Sequence, residues 1–239
     1  MYLKDSPQTI QSMFNSIAHR YDLTNSILSF SFHKRWNRYL IKCIRKHSNP
    51  KLLLDLCSGT GDISYAYLKS CQSPAGVCLI DFSSEMLKRA RKKICPSSFK
   101  FKHQTHFIEA DVQSLPLHEN YADAIAIAYG IRNVKNPLNC FKEAFRVLKP
   151  GSCIAILELT RPGKKWLRAG HAFYLRFLMP FFGKFLTNNQ NAYEYLCNSI
   201  QTFVAPEQLE TLLKEAGFIH VESTPLTGGI ATIIQAVKP

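Results

Sequence analysis

The sequence predicts a Rossmann-like α/β fold, with a seven-stranded, mostly parallel sheet, an antiparallel last strand and N-terminal helices. Two observations lead to this prediction. From residue 51 onward, short apolar runs alternate with stretches of helical periodicity, a pattern typical of right-handed βαβ units in a parallel sheet. Near the end of the chain, Gly228 and Gly229 separate two further apolar runs, which indicates an antiparallel pair. At 239 residues the chain fits one domain.

The individual elements follow from apolar spacing and from helix start and stop signals. Residues 8–47 are expected to form two or three helices, because Trp36, Leu40 and Ile44 recur at helical spacing with basic residues opposite them. A later helix begins at Pro206 and stops at Gly217. The predicted strands are Leu52–Cys57, Val77–Asp81, His106–Ala110, Ala124–Tyr129, Ile154–Glu158, Phe218–Ser223 and Gly229–Val237. The helices between them are Asp62–Ser70, Ser84–Ile94 and Leu138–Leu148.

The cysteine pattern and the hydropathy argue against several classes of protein. The eight cysteines include no C-x-x-C pair and follow no secretory signal, so we expect reduced thiols in a cytoplasm, with no disulfide framework and no metal site. No segment reaches the roughly 18 apolar residues of a membrane span. The most apolar run, residues 173–182, is interrupted by Arg176 and Pro180. It is interpreted as an interfacial or ligand-facing segment, with a buried helix as the alternative.

The net charge of +13 indicates an anionic partner, and the charge is unevenly distributed. No acidic residue occurs between Glu158 and Glu194. The basic residues in that interval are Arg161, Lys164, Lys165, Arg168, Arg176 and Lys184. A predicted N-terminal helix carries a second basic group, Lys34, Arg35, Arg38, Lys42, Arg45 and Lys46. Nucleic acid or an anionic lipid surface would be attracted to such faces, and a solvated basic face without a partner is the alternative.

A glycine-rich turn follows the first predicted strand. Gly59 and Gly61 permit positive φ angles and a close approach of the backbone to a ligand. The G-x-G pattern alone also fits a nicotinamide dinucleotide site. However, Ser64 stands where the third glycine of that motif belongs, and Asp62 would repel a pyrophosphate at the helix N-terminus. The sulfonium cation of S-adenosylmethionine suits an acidic turn. Gly59, Thr60 and Gly61 are therefore predicted to bind this cofactor, in a class I methyltransferase fold.

Acidic residues at the ends of the next two predicted strands complete the expected cofactor site. Asp81 ends the second strand, where a carboxylate accepts hydrogen bonds from both hydroxyls of an adenosine ribose. Its alternative role is to cap the following helix, although Ser83 can do so instead. After the third strand, Asp111 is expected to accept from the adenine amino group, and the Val112 amide to face a ring nitrogen. An acid on a surface turn is the alternative for Asp111.

Several segments resemble one enzyme family. Tyr21–Trp36, which contains Y-D-x-x-N with His33 and Trp36 downstream, is similar to the signature of the ubiquinone/menaquinone biosynthesis C-methyltransferases of the UbiE type. Further similar segments are Tyr129–Val134, Arg146–Glu158, Asn191–Ile200 and Leu226–Ile230, so the resemblance covers nearly the whole chain. The chain departs from the family pattern at Thr24, Cys57-Ser58, Ala128, Ser152 and Thr160. These residues are comparable in size to the usual ones, so cofactor binding should survive, without any contact of the Ser hydroxyl that Ala128 replaces.

The resemblance implies transfer of a methyl group from S-adenosylmethionine to a ring carbon of a prenylated quinol, most often demethylmenaquinol to give menaquinol. A prenylated methoxybenzoquinol of ubiquinone biosynthesis is the alternative acceptor. The ring carbon becomes strongly nucleophilic only when the neighbouring hydroxyl is ionised, and a phenol has a pKa near 10. The site is therefore expected to contain a base or a fixed cation that favours the oxyanion, and it needs no metal.

Candidate catalytic residues lie after the fourth predicted strand and in the N-terminal helices. Arg132, at the carboxyl edge where open α/β sheets bind ligands, is expected to stabilise the quinolate, with Asn133 orienting the acceptor. A salt bridge on a loop is the alternative role for Arg132. His33 is the candidate base, and a structural histidine is the alternative. The residues expected to line the same entry and bind the acceptor are Tyr21, Asp22 and Asn25.

The cysteine pattern favours a cytoplasmic enzyme. Because a polyprenyl tail resides in a membrane, this enzyme is expected to contact the inner face of the membrane peripherally, without spanning it. The basic, aromatic stretch Trp166–Leu186 is the predicted contact. The resemblance is also consistent with a homodimer. A nucleic-acid methyltransferase, suggested by the positive charge, is the alternative enzyme. Nucleic acid is nevertheless not expected as a partner, because Tyr129-Gly130-Ile131 stands where an adenine-amino methyltransferase has Asn/Asp-Pro-Pro-aromatic. In addition, Cys95-Pro96 reverses the order of a Pro-Cys nucleophile.

The single predicted domain, residues 1–239, divides into four segments. They are an N-terminal helical lid (1–50), a cofactor-binding core (51–160), an insertion facing the substrate and the membrane (161–205), and a C-terminal helix with a strand pair (206–239). A cofactor-binding scaffold without catalysis is the alternative of a different functional class.

Overall fold

The computed structural model describes residues 7–47, 49–95, 97, 99–178 and 190–239. Seven strands form one sheet in the order β3-β2-β1-β4-β5-β7-β6, in which β7 runs antiparallel to both of its neighbours and the other pairs are parallel. The strands are β1 (Leu52–Leu56), β2 (Gly76–Asp81), β3 (Gln104–Glu109), β4 (Ala122–Ala128), β5 (Leu148–Leu159), β6 (Ile219–Leu226) and β7 (Ala231–Val237). The predicted fold class is confirmed, including the antiparallel last strand.

Helices cover both faces of the sheet and its carboxyl edge. They are α1 (Pro7–Ile17), α2 (Tyr21–Leu28), α3 (Phe32–His47), α4 (Asp62–Ser70), α5 (Ser84–Lys93), α6 (Pro137–Val147), α7 (Lys165–Phe173), α8 (Gln190–Thr202) and α9 (Pro206–Glu215). A π-helical segment, Tyr174–Leu178, continues α7. None of the described helices is long and apolar enough to cross a membrane.

All seven strands differ from their predicted bounds at one end or both, most by one or two residues, and the starts of β5 and β7 differ for local reasons. β5 begins at Leu148 rather than Ile154, because its first part pairs with Ala122 before an irregularity that contains Gly151 at φ +74°. β7 begins at Ala231 rather than Gly229, because Thr227–Gly229 forms a 3-10 turn with Gly228 at φ +71°. Positive φ angles are accessible to glycine, so Gly151 permits an irregularity within β5 and Gly228 shapes the turn before β7.

Continuous apolar strands are buried on both faces, as in other parallel sheets. Leu54 and Ile80 pack with Phe141 of α6 on one face of the sheet. On the other face, Leu53 and Leu79 pack with Leu40 of α3. The predicted buried stripe of α3 is confirmed, because Trp36, Leu40 and Ile44 are all buried there.

The N-terminal helices rest on the carboxyl side of the sheet. Ile10, Met13 and Ile17 of α1 form a small apolar cluster with Met86 of α5. Polar contacts add to it, since the Gln11 side chain donates to the carbonyl of Phe82 and the Ser83 hydroxyl donates to Asn15 at 2.6 Å. Helix α1 is therefore held beside the residues that follow β2.

Candidate functional site

Two adjoining cavities lie beyond the carboxyl ends of β1, β2 and β4. The smaller cavity, of about 220 Å³, has Asp81, Asp111 and Val112 in its wall. The larger cavity, of about 410 Å³, has Arg132 and His33 in its wall. Residues that belong to both walls are Phe14, Tyr21, Cys57, Gly59, Ala128, Tyr129 and Asn133. Ligands in the two cavities would therefore meet at this shared boundary.

The glycine turn between β1 and α4 lies at that boundary. Gly59, at φ +51°, has open space where a Cβ would stand, so its backbone is accessible to a ligand. A Cβ at Gly61, at φ +79°, would lie 3.0 Å from Leu79 and 3.1 Å from Ala90. Gly61 is not in the wall of either cavity. It permits α4 to pack closely against β2 and α5, whereas Gly59 borders the ligand space.

Asp81 is a buried carboxylate in the wall of the smaller cavity. It accepts hydrogen bonds from the backbone N–H groups of Gly59 at 2.8 Å and Ser83 at 2.9 Å. Burial raises the pKa of Asp81 to about 6, although these hydrogen bonds act in the opposite direction. The helix-capping role belongs to Ser83, whose hydroxyl accepts from the N–H of Met86 at 3.2 Å. The capping alternative for Asp81 is therefore wrong.

Asp111 and Val112 also belong to the wall of the smaller cavity. Val112 is buried, whereas Asp111 is exposed. Both carboxylate oxygens of Asp111 accept from the side-chain amide of Gln113, at 3.1 and 3.0 Å. Asp111 thus lies both at the surface and in the cavity wall, so its position is compatible with contact to an adenine amino group and equally with an acid on a surface turn.

Lys93, near the end of α5, joins three side chains around the glycine turn. Its ammonium group lies 2.6 Å from carboxylate oxygens of both Asp22 and Asp62, and 3.0 Å from the Thr60 hydroxyl. One net negative charge remains at the turn, as for Asp62 alone, because Lys93 offsets the additional carboxylate that Asp22 brings. Asp22 was predicted to bind the acceptor, but it is absent from the walls of both cavities. The structure places Asp22 as a link between α2 and the turn.

Arg132 forms a buried ion pair with Glu158 in the wall of the larger cavity. Arg132 Nη1 lies 2.5 Å from Glu158 Oε1, and the two side chains are 5 % and 1 % exposed. Burial is the largest single influence on the pKa of Arg132 and lowers it, but the charge and hydrogen bond of Glu158, together with Tyr21 and Tyr195, outweigh burial and the pKa is raised. Nη1 also donates to the carbonyl of Tyr129, while the buried Nε has no partner among the described residues. The salt-bridge alternative is thus real, and it leaves a donor of Arg132 unused.

Asn133 follows Arg132 and borders both cavities. Its side-chain oxygen accepts from the hydroxyl of Tyr195 in α8 at 3.0 Å. An amide whose oxygen is engaged in this way has its NH₂ group left to donate. Arg132 and Asn133 therefore both offer N–H donors, which is the arrangement that an oxyanion requires.

The N-terminal residues of the predicted site also converge on the larger cavity. Tyr21, Asn25 and His33 line it together. Burial raises the pKa of the Tyr21 phenol, and burial lowers the pKa of His33, which favours a neutral imidazole. His33 Nδ1 lies 2.6 Å from the hydroxyl of Ser29, a residue in the same wall.

Comparison with known proteins identifies the family. The model of the ubiE/COQ5 methyltransferase family matches residues 2–238. The chain belongs to the ubiE/COQ5 methyltransferase family. A protein from Protochlamydia amoebophila named demethylmenaquinone methyltransferase is 51% identical over 100% of this chain and 98% of its own length. A Chlamydia caviae protein of the same name is 38% identical, over 98% and 97% of the two chains. The ubiquinone/menaquinone biosynthesis C-methyltransferase UbiE of Stutzerimonas stutzeri is 33% identical, over 97% and 90%.

Solved structures confirm the fold of this family member. A SAM-dependent methyltransferase from Aquifex aeolicus superposes with a TM-score of 0.56 at 18% identity, over 83% of this chain and 88% of that one. The [4+2]-cyclase SpnF superposes with a TM-score of 0.67 at 15% identity, over 98% and 97%. A cyclase with this fold illustrates that the architecture does not determine the reaction. The chemistry has to be argued from the site.

The residues present in this ubiE/COQ5 family member fit S-adenosylmethionine, which the family and the fold imply. The Ser58 hydroxyl is buried in the wall of the larger cavity without a partner among the described residues, and Gly59 leaves its backbone open beside it. The buried carboxylate of Asp81 lies at the end of β2 in the adjoining cavity. An apolar recess with a carboxylate and an unsatisfied hydroxyl matches a nucleoside joined to an amino acid.

The sequence carries no signal for several of the side-chain pairings in the site. Glu158 pairs with Arg132 across 26 residues of the chain, and Lys93 pairs with Asp62 across 31 residues. Tyr195 reaches Asn133 from 62 residues away. Gly130 had a detectable signal, since glycine follows β4, and a Cβ at this position would overlap with Cys57.

Proposed function

We propose that the protein transfers a methyl group from S-adenosylmethionine to a ring carbon of a reduced, prenylated naphthoquinol, converting demethylmenaquinol to menaquinol. The observation that carries the proposal is the junction of two cavities at Cys57, Gly59 and Tyr129. One cavity ends at the carboxylate of Asp81, and the other is mainly apolar, with Arg132 in its wall. The two relatives named demethylmenaquinone methyltransferase match this chain over 98% and 97% of their own lengths.

In this proposal the smaller cavity holds the nucleoside part of the cofactor. Bound S-adenosylmethionine supplies an electrophilic methyl group. Asp81 accepts hydrogen bonds from the ribose hydroxyls, and the Val112 amide and the Asp111 carboxylate meet the adenine edge. The part of the cofactor nearest the larger cavity contacts the glycine turn, at the open backbone of Gly59 and at the neighbouring Thr60.

The larger cavity receives the quinol ring. Its apolar side chains exclude water, which strengthens the interaction between the guanidinium of Arg132 and an oxyanion. Arg132 and Asn133 donate to the ionised hydroxyl of the acceptor and favour its ionisation. Tyr21 and Asn25 line the same space and orient the ring. His33 is the candidate proton acceptor.

A membrane surface would surround the mouth of the larger cavity. Helix α7 has no buried residue, and Trp166, Phe173 and Phe177 are 72%, 57% and 55% exposed. Phe30, which is 70% exposed, approaches Tyr174 with their ring centroids 6.3 Å apart, so the α2–α3 turn adjoins α7. Both Phe30 and Tyr174 line the larger cavity. Residues 179–186 of the predicted contact lie outside the described residues.

Exposed basic side chains accompany these aromatic residues, with Lys34, Arg35 and Arg38 on α3 and Lys164, Lys165 and Arg168 around α7. This combination favours an anionic bilayer, from which a prenyl tail would enter the cavity directly. The variant Trp166→Ala should weaken binding to phosphatidylglycerol vesicles about tenfold, since burying one large apolar side chain contributes about 1.5–3 kcal/mol. Ile219→Ala, on the edge strand β6, is the matched control. Equal binding by both variants and the original protein contradicts the contact.

The reaction itself is tested with labelled S-adenosylmethionine and three acceptors: a reduced prenylated naphthoquinone, a reduced prenylated methoxybenzoquinone, and RNA. We expect label in the naphthoquinol. Label mainly in the benzoquinol would assign the ubiquinone-type acceptor named for UbiE relatives. Label in RNA alone, or binding of the cofactor without any transfer, would refute the proposed function. Light scattering of the purified protein tests the predicted homodimer.

A further inference from the structure

The turn between α2 and α3 brings Ser29 and His33 together in the wall of the larger cavity. Phe30 and Ser31 both have positive φ angles, of 48° and 60°, which are costly for residues other than glycine. Backbone hydrogen bonds hold the turn, from Ser31 N–H to the carbonyl of Ser26 at 2.8 Å and from Phe32 N–H to the carbonyl of Ser29 at 2.8 Å. The strained turn thus fixes the two side chains relative to each other.

The hydrogen bonds of Ser29 determine which ring nitrogen of His33 carries the proton. The Ser29 hydroxyl lies 2.6 Å from the carbonyl oxygen of Asn25 and 2.6 Å from His33 Nδ1. A carbonyl oxygen can only accept, so the single hydroxyl hydrogen is directed to Asn25. The Ser29 oxygen therefore accepts, and Nδ1 of His33 donates to it. In the neutral ring, this leaves Nε2 as the nitrogen with the free lone pair.

We propose that Ser29 is a positioning residue that holds His33 as the Nδ1–H tautomer, so that Nε2 removes the hydroxyl proton of the quinol. Nε2 has no hydrogen-bond partner among the described residues, and His33 belongs to the cavity wall that also contains Arg132. This inference rests on the proposed function, because it names the base for that reaction. It also assigns a role to Ser29 that the family resemblance did not include.

The proton balance of the reaction is complete with this base. The hydroxyl proton passes to Nε2, which gives an imidazolium ring whose Nδ1–H still donates to Ser29. A carbon–carbon bond then forms at the ring in exchange for the carbon–sulfur bond of the methyl donor, whose sulfur keeps the bonding electron pair, and the quinol oxygen becomes a carbonyl. When the ring carbon releases its own proton to water, the oxygen takes back the proton from Nε2. One proton is thus released for each methyl group transferred, and His33 returns to its neutral form.

Charged groups from four elements act on His33. Burial lowers its pKa most strongly, Asp62 and Asp22 raise it, and Lys34 and Lys93 lower it. The net pKa is below the ordinary value of 6.5, so the base is neutral at pH 7. The rate of methyl transfer should therefore rise with pH through a value below 6.5 and then level off.

The tautomer can be measured without any substrate. In protein labelled with ¹⁵N-histidine, the His33 signals are those that disappear in His33→Gln. We expect a protonated Nδ1 and an unprotonated Nε2 at neutral pH in the original protein. In Ser29→Ala the two tautomers should become mixed. A protonated Nε2 in the original protein would overturn the inference, whatever the enzyme acts on.

The kinetic arm compares Ser29→Ala, Ser29→Thr and the control Ser26→Ala. Ser26 lies in α2, three residues before Ser29, and outside the cavity wall. Ser29→Ala should lower kcat about fivefold, since one hydrogen bond contributes about 1 kcal/mol, with little change in KM. Ser29→Thr keeps the hydroxyl and should restore kcat. His33→Gln should lower kcat by about 10²-fold or more, with cofactor affinity retained.

An unchanged kcat and pH profile in His33→Gln, beside active original protein, would refute the catalytic role of His33. If Ser29→Ala lowers kcat and Ser29→Thr lowers it equally, the positioning role of the Ser29 hydroxyl is refuted. If the original protein transfers no methyl group to any quinol, the proposed function fails, and the tautomer measurement still decides the assignment of Ser29.

Discussion

Replacing Arg132 by Ala removes one member of the buried ion pair with Glu158. Since Arg132 and Glu158 are 5 % and 1 % exposed, Arg132→Ala leaves a carboxylate without its counter-charge in a site with little water. Breaking such a pair costs about 3–5 kcal/mol. For a chain of this size, each kcal/mol lowers Tm by about 2–4 °C, so we expect a decrease of about 6–20 °C. A loss of activity in Arg132→Ala would therefore reflect both the lower stability of the fold and the loss of an oxyanion donor.

A second variant separates the two effects. Arg132→Met with Glu158→Gln removes both charges. The backbone N–H groups of Leu159 and residue 132 donate to different oxygens of Glu158, so the single Gln oxygen keeps the 2.8 Å bond from Leu159 and gives up the weaker one, at 3.3 Å. This double variant should recover at least half of the lost Tm, because neutral replacement of a buried pair is often close to isoenergetic. Its kcat should remain lower by about 10²–10³-fold, as expected for the loss of an oxyanion donor.

The assays are thermal unfolding followed by circular dichroism, and single-turnover transfer of labelled methyl groups below the Tm of the weakest variant. A Tm within about 3 °C of the original protein for Arg132→Ala would refute the buried ion pair as described, because one kcal/mol corresponds to about 2–4 °C. Recovery of kcat together with stability in the double variant would show that Arg132 acts only through folding.

Three further predictions concern the cofactor. Asp81→Asn should weaken cofactor binding about 10–100-fold by calorimetry, because charge-assisted hydrogen bonds contribute about 1.5–3 kcal/mol. Asp111→Asn, at an exposed position, should have a smaller effect, and equal effects of the two variants would contradict the role of Asp81 in binding the ribose. Because the pKa of Asp81 is raised to about 6, affinity should fall as pH decreases through about 6, and Asp81→Asn should lack this dependence. Lys93→Met removes the ion pair with Asp22 and should speed cofactor release up to about fivefold in stopped flow, since partly exposed ion pairs contribute about 0.2–1 kcal/mol. Lys88→Met, in the same helix, is the control, and equal release rates in the two variants would show that the Lys93–Asp22 pair does not hold the cofactor.

The fold was predictable because its signals are local. Each strand of a parallel sheet is a short apolar run, and Gly61 and Gly217 mark turns through positive φ angles that glycine adopts easily. The start of β5 was less predictable, because three exposed residues without an apolar signal, 149–151, separate the buried Leu148 from the apolar run. Asp81 and Arg132 were placed in the site by their positions at strand ends, where the topology of the sheet brings ligands.

Pairings between side chains were not predictable in the same way. The sequence by itself determined the class of fold, the glycine turn and the family, since these depend on residue types at fixed spacing. Only the tertiary structure decided that Lys93 pairs with Asp62, that Glu158 holds Arg132 and that Asp22 lies outside the cavities. Electrostatic and hydrogen-bond partners act within a few ångströms in space, at any separation along the chain, so packing rather than spacing selects them.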